Sequence, residues 1–323
     1  MNRNIVTAGG PARNDPEHNN GRQPRISRKR EFLMEAAKSK NAFEKFMSGL
    51  FMACGLIAIA FVIFITLFLV INGTPAIAEI GLVDFLFGTK WASTAAEPSY
   101  GILPFILTSA YGMCGAILIA VPIGLLCAIY LSKMASKRMA AIIRSAVELL
   151  AGIPSVVYGL IGMIVIVPAV REFFGLPDGA NLFSAILVLG VMVLPTIVSI
   201  SDTALNAVPK EYEEASLALG ATYTETVFKV SVPAAKSGIA AGVVQGVGRA
   251  IGEAMAVMMV CGNVANMPGL FKSVRFLTTA ITSEMSYASG LQRQALFSIA
   301  LILFIFIIII TLILNFVFKR KAD

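Results

Sequence analysis

Long apolar runs free of charge alternate with charged connections along this chain, and the runs have the length of membrane spans. A helix needs about 20 apolar residues to cross roughly 30 Å of hydrocarbon. The runs predict six spans: Phe46–Ile71, Leu107–Leu131, residues 149–170, residues 179–201, about Ser237–Cys261, and residues 294–318. Pro154, with Gly152, interrupts the third run and Pro195 lies in the fourth, so both helices are expected to kink or break. Backbone groups freed there need partners from neighbouring helices or a polar cavity. Spans three and four are therefore expected to line a pathway or a tight bundle, and the sixth, uniformly Ile, Leu and Phe, to lie at the periphery. Residues 1–45 break the pattern. The first 25 or so are expected to be disordered. Ile26–Lys45 reads either as an amphipathic helix on an anionic leaflet or as a solvated basic flank. The long polar tail and the lack of a small-residue cleavage site argue against a cleaved signal peptide.

Composition agrees with the pattern. Of 323 residues, 57% are apolar and 14% charged, against about 25% charged in soluble domains. The net charge of +7 does not point to nucleic acid, because Lys and Arg cluster at the ends of apolar runs. Ten precede the first span, Lys133, Lys137, Arg138 and Arg144 follow the second, Lys210, Lys229 and Lys236 follow the fourth, and Lys319, Arg320 and Lys321 follow the sixth. The opposite loops carry only Lys90, Arg171, Lys272, Arg275 and Arg293. By the positive-inside rule both termini are expected in the cytoplasm. The expected organisation is a cytoplasmic tail over 1–45, a transmembrane domain over 46–318 with a cytoplasmic loop at 205–235, and a cytoplasmic end at 319–323. The four cysteines form no Cys-x-x-Cys pair, and His18, in the tail, is the single histidine. The scattered cysteines read as small hydrophobes rather than disulfide or metal ligands, His-based metal or acid–base chemistry has no residues to work with, and no cofactor is expected.

The connection after the fourth run is about 35 residues long, too long for a simple turn. Pro209 suits a first helical turn, and Glu211, Glu213 and Glu214 complement its positive end. Gly220 suits the stop, and Thr222 or Thr224 the cap of a second short helix. The spacing predicts helix, turn, helix outside the membrane. Glu214-Ala215-Ser216, then Gly220, Val230, Val232 and Pro233, resemble the Glu-Ala-Ala-x3-Gly-x9-Ile-x-Leu-Pro pattern of ABC importer permeases. Tyr100–Phe105, Glu148–Gly159 and Gly248–Ala256 resemble the phosphate-importing branch. The long N-terminal tail and Trp91 resemble its PstC-type subunit more than the PstA-type partner. Ser93 stands where that family often has proline.

The resemblance covers about residues 46–318 and implies an all-α membrane bundle of about six transmembrane helices, with the type I ABC importer permease fold, in a bacterial cytoplasmic (inner) membrane. It implies that Glu214, Ala215, Ser216 and Gly220 couple to an ATP-binding subunit. The partners it implies are a second homologous permease, two ATP-binding subunits and a periplasmic phosphate-binding protein. No Gly-x4-Gly-Lys-Ser/Thr occurs, so ATP would be held by those other subunits and the chain itself would be no enzyme. The same machinery could serve sulfate or molybdate; an ion-coupled carrier or channel, or a signalling duty, are the rival classes.

Two pairs of charges stand out. Arg249 lies 13 residues past Lys236, about 20 Å along a helix, near the bilayer midplane. Glu253 follows one turn later, where the two could pair. Each costs about 2.5–3.5 kcal/mol at the centre of a lone helix. They read either as a structural clasp or as a pathway in which Arg249 attracts an anion and Glu253 keeps it from being trapped; intramembrane ionisable groups favour the second, and the resemblance implies it. Arg144 and Glu148 form another i, i+4 pair, read as a surface pair or a gate. Gly238, Gly242 and Gly246, and likewise Gly248 and Gly252, form small-x-x-x-small ridges expected to pack helices closely.

Overall fold

The structure is a computed structural model that describes the backbone of residues 24–320 and the side chains of 44–318. Residues 1–23, where a disordered tail is expected, lie outside the described residues, as do 321–323. The chain divides into two units at Ile65 and Thr66. The first helix, α1 (Pro24–Ile80), runs through this boundary, with Pro75 inside it. Before the boundary Phe46, Phe51, Phe61 and Phe64 are all exposed. A helix apolar all round is a surface for lipid.

From Thr66 onward the elements follow in order. α2 (Leu82–Phe87) leads into an antiparallel hairpin of β1 (Trp91–Ala92) and β2 (Ser99–Tyr100), then α3 (Leu103–Ile129). α3 ends in a wider π turn, Tyr130–Met134, and α4 (Lys137–Gly152) follows, capped by the Ser136 side chain. α5 (Ser155–Ile161), a π turn over Gly162–Ile166 and α6 (Val167–Phe174) form one span. α7 (Leu182–Asn206), α8 (Lys210–Ala218), α9 (Tyr223–Thr226), a π turn over Val227–Ser231 and α10 (Val232–Ala234) come next. α11 (Lys236–Gly252), α12 (Met255–Val260), α13 (Leu277–Glu284) and α14 (Gly290–Arg320) complete the bundle.

Among the described residues five helices are long and apolar enough to cross a membrane, and a sixth arises if the pair bent by 67° at Ala235 counts as one span. Three expectations are corrected. The third span begins at Ser155 rather than at residue 149: the helix breaks at Pro154 as expected, because a residue before proline is driven out of the helical region and Ile153 is extended (ψ 129°). Residues 149–152 belong instead to α4. The fifth span does not run unbroken to Cys261: α11 stops at Gly252, and Glu253 is extended (ψ 128°) before α12 starts. Pro195 does not break α7, whose neighbours bury it on most sides and hold the helix across the lost donor.

α7 is the axis of the core. Ala185, Leu189, Val193 and Ile197 are fully buried, against α3, α5 and α12. At the end of the bundle that carries the hairpin, a second cluster joins Phe85, Trp91, Tyr100, Phe105, Leu277 and Leu296. Its polar centre is the buried carboxylate of Glu284. It accepts from Trp91 Nε1 (3.2 Å), Ser93 Oγ (3.1 Å), Gln292 Nε2 (3.0 Å) and Arg275 Nη1 (2.5 Å). The serine that replaces the expected proline thus supplies a donor. Four partners are what a buried carboxylate needs to offset desolvation.

Candidate functional site

At the opposite end of the bundle, the α7–α11 connection builds the predicted helix–turn–helix. Pro209 is the N-cap of α8 and Glu211 and Glu213 occupy its first turn. Gly220 stops it with φ +87°, a left-handed conformation that costs other residues a Cβ clash; its N–H donates to Leu217 O (2.9 Å). Thr222 caps α9: its Oγ1 accepts from Glu225 N (3.3 Å), while the Glu225 carboxylate accepts from Thr222 N (3.1 Å). That capping box holds the Glu225 carboxyl down at about 2, through the Thr222 backbone N–H first and then the Lys229 ammonium.

α8 buries no side chain of its own. Its two sides differ in chemistry. Glu214 and Ala215 are exposed, with Tyr212, Leu217 and Leu219, the last 89% exposed. Glu213 and Ser216, one turn apart, are half-buried. The Ser216 hydroxyl lies 2.9 Å from that of Thr226, so the serine that replaces alanine in the motif ties α8 to α9. Glu213 accepts from Lys133 Nζ (2.6 Å) and Ser231 Oγ (2.9 Å). Burial pushes the Glu213 carboxyl up, but the bonds from Lys133 and Ser231 outweigh it and leave its pKa below the ordinary value. Tyr223 donates its hydroxyl to the Lys133 carbonyl. Of the four residues expected at the coupling tip, the structure therefore presents Glu214 and Ala215 outward, turns Ser216 inward, and uses Gly220 as the stop. Lys133 and Glu213 were not singled out. The signal was the first lysine past the second span, whose long-range partner no local pattern reveals.

Arg249 is half-buried on α11 and donates from Nη1 to Thr196 Oγ1 of α7 (3.4 Å). The pairing with Glu253 that the spacing allowed is not formed: among the described residues no ion pair joins them. The helix ends at Gly252, so Glu253 leaves the helical path on which i, i+4 neighbours meet. Instead Glu253 Oε1 accepts from Ala256 N (2.9 Å), capping α12, and its carbonyl accepts from Thr278 Oγ1 of α13 (2.7 Å). The two glycine ridges also separate. Cβ atoms at Gly238, Gly242 and Gly246 would meet α7 at 2.4–3.2 Å, whereas nothing lies within 4 Å of Gly248 or Gly252. At the second ridge an added Cβ would meet open space.

Arg144 does not pair with Glu148 either. It holds Asp202 of α7 in a fork, Nε to Oδ2 at 2.8 Å and Nη2 to Oδ1 at 3.1 Å, and Asn206 Nδ2 adds a third donor to Asp202 (2.9 Å). A fork on a fixed carboxylate outcompetes a flexible helical neighbour. Glu148 lines a small cavity of about 100 Å³ beside this pair. No group of three or more metal-ligating side chains occurs among the described residues.

Residues 120–323 match the family described as "Binding-protein-dependent transport system inner membrane component". The chain belongs to that family. The match takes in α8, Arg249 and Glu253. This permease is 39% identical over 274 residues (83% of the chain, 89% of the relative) to the "Probable ABC transporter permease protein YqgH" of Bacillus subtilis (strain 168). It is 34% identical over 243 residues (69% and 75%) to the "Phosphate transport system permease protein PstC" of Pasteurella multocida (strain Pm70). A protein of the same description from Haemophilus influenzae is 34% identical over 257 residues (73% and 81%). Among solved structures, a bacterial alginate ABC transporter in complex with an alginate-bound periplasmic protein matches with TM-score 0.57 at 15% identity, covering 85% of this chain and 94% of its own. The inward-facing MetNI methionine transporter matches with TM-score 0.51 at 20% identity (69% and 95%). At such identities the likeness speaks for the fold alone. This permease has the type I importer permease fold and is a membrane subunit of an ABC importer. Its family implies ATP-binding subunits and a substrate-binding protein as partners.

Proposed function

We propose that this permease is one half of a channel that moves inorganic phosphate inward across the bacterial cytoplasmic membrane. Both termini are cytoplasmic. A second, homologous permease covers the open face of α11, two ATP-binding subunits supply the work, and a periplasmic phosphate-binding protein delivers the anion. The observation that carries the substrate is the likeness, at 34% identity, to relatives named as phosphate permeases. The geometry supports an anion pathway at the same place. Arg249 follows Gly248 and precedes Gly252, two positions at which an added Cβ would meet nothing within 4 Å. A guanidinium there attracts an anion strongly in a low dielectric. Glu253, at the break just beyond, tempers that attraction; a conducted ion must bind well enough to enter and weakly enough to leave. Exposed Glu214 and Ala215 present α8 to the ATP-binding subunit.

Reconstituted with its partners in proteoliposomes, the complex should take up phosphate only with ATP, and excess sulfate should not compete. Arg249→Gln should abolish uptake while the complex still assembles. Normal uptake by that variant removes Arg249 from the pathway, and competition by sulfate reassigns the substrate.

A further inference from the structure

The face of α8 turned toward the bundle poses a mechanical problem. A helix with no buried side chain has no packed surface through which to push. What ties it to the first half of the bundle is polar and centred on Lys133. Glu213 of α8 takes the Lys133 ammonium at 2.6 Å and the Ser231 hydroxyl at 2.9 Å. One carboxylate thus joins α8, the π turn that ends α3 and the π turn that precedes α10. Tyr223, on α9, holds the backbone carbonyl of the same lysine. The Lys133 side chain is 9% exposed and that of Glu213 18%, so water screens the pair far less than a surface pair. A short, charge-assisted contact of that kind fixes position more than it adds stability. Glu214 and Ala215, next in sequence, point away into the open. Adjacent residues on this helix therefore divide docking from bracing.

We infer that the Lys133–Glu213 ion pair is the strut that passes displacement of α8 to the end of α3. Glu213 and Lys133 are then positioning residues for transport. This rests on the reading above, in which α8 takes up the motion of an ATP-binding subunit. α3, 27 residues long and so about 40 Å, runs from this junction to the hairpin end and packs along α7 and α11. The π turn at Tyr130–Met134 gives its end a wider turn, of a kind frequent at functional sites.

The test uses the full reconstituted complex. Glu213→Gln and Lys133→Met are each expected to copurify with the ATP-binding subunits and to leave ATP hydrolysis within about twofold, while phosphate taken up per ATP falls about tenfold. The charge-swapped double variant, Glu213→Lys with Lys133→Glu, should recover at least half of the coupling, which a merely structural loss would not. A Cys placed at Ala215 should still cross-link to the ATP-binding subunit in every variant. Unchanged uptake per ATP, with the cross-link intact, overturns the strut and leaves the docking reading standing. So does loss of copurification, which would make the pair an assembly contact. Absence of the cross-link in the parent complex overturns both.

Discussion

Nothing lies within 4 Å of the place a Cβ would take at Gly220, so a side chain there meets no neighbour. The cost of Gly220→Ala is conformational, about 1–2 kcal/mol for a left-handed residue, and should read as a modest fall in thermal stability with uptake retained. Gly220→Pro is different in kind. Proline cannot adopt φ +87° and removes the N–H that bonds to Leu217, so ATP-dependent uptake in vesicles should be lost. Glu225 gives a pH prediction with a definite sign. Its carboxyl is held at about 2, below the ordinary value of 4.5, chiefly by the Thr222 backbone N–H. A depressed carboxyl stabilises the fold above its unfolded value and ceases to as the pH falls through the folded one. The α9 cap should be whole at pH 5 and disappear between about 4.5 and 2. A Glu225 carboxyl-carbon titration with its midpoint near 4.5 would contradict the capping box.

Helix α11 is one element with two unlike faces. A Cβ at Gly238 would stand 2.4 Å from that of Ala204 on α7, two methyl groups in one space. Gly238→Ala should force the helices apart at a cost of about 1–3 kcal/mol, seen as a lower Tm of the isolated chain. Gly248→Ala meets nothing and removes a helix-interior glycine, worth about 1 kcal/mol in propensity. The isolated chain should be as stable or more so. Pairing with the second permease should weaken if that ridge is the partner's seat, and size exclusion of the two-permease complex reads this directly. Sequence spacing alone treated both ridges as equivalent, because periodicity places residues on a face without saying what the face meets.

Taken whole, the bundle is braced by charge at its two ends and by shape between them. Arg144 and Asp202 clamp α4 to α7 near the coupling end, and Arg275 with Glu284 anchors the hairpin end. Arg275→Met leaves the Glu284 carboxylate buried without its counter-charge, which should cost about 3–5 kcal/mol, measured as a lower thermal midpoint in detergent. The orientation of the bundle has its own test: a reporter fused after Gly220 or at the C-terminus should be active only in the cytoplasm, and one inserted near Glu97 only outside it.

The membrane-crossing runs (though not the bounds of the third and fifth spans), the exposed loop with its caps and the family were legible in the sequence alone, because each is written locally: an apolar run long enough for lipid, a proline or glycine at a helix end, a motif at fixed spacing. Partners of the charges were not. Arg144 chose Asp202 over Glu148, Lys133 chose Glu213, and Glu253 turned away from Arg249 to cap α12. A guanidinium or ammonium in a low dielectric goes to whichever carboxylate the packed helices bring within reach, and that distance exists only after α3, α4, α7 and α8 have come together. The break at Glu253 was hidden for a related reason: an apolar run shows that a segment belongs in the membrane, but only tertiary contacts, such as the Thr278 hydroxyl on the Glu253 carbonyl, can hold a helix end open there.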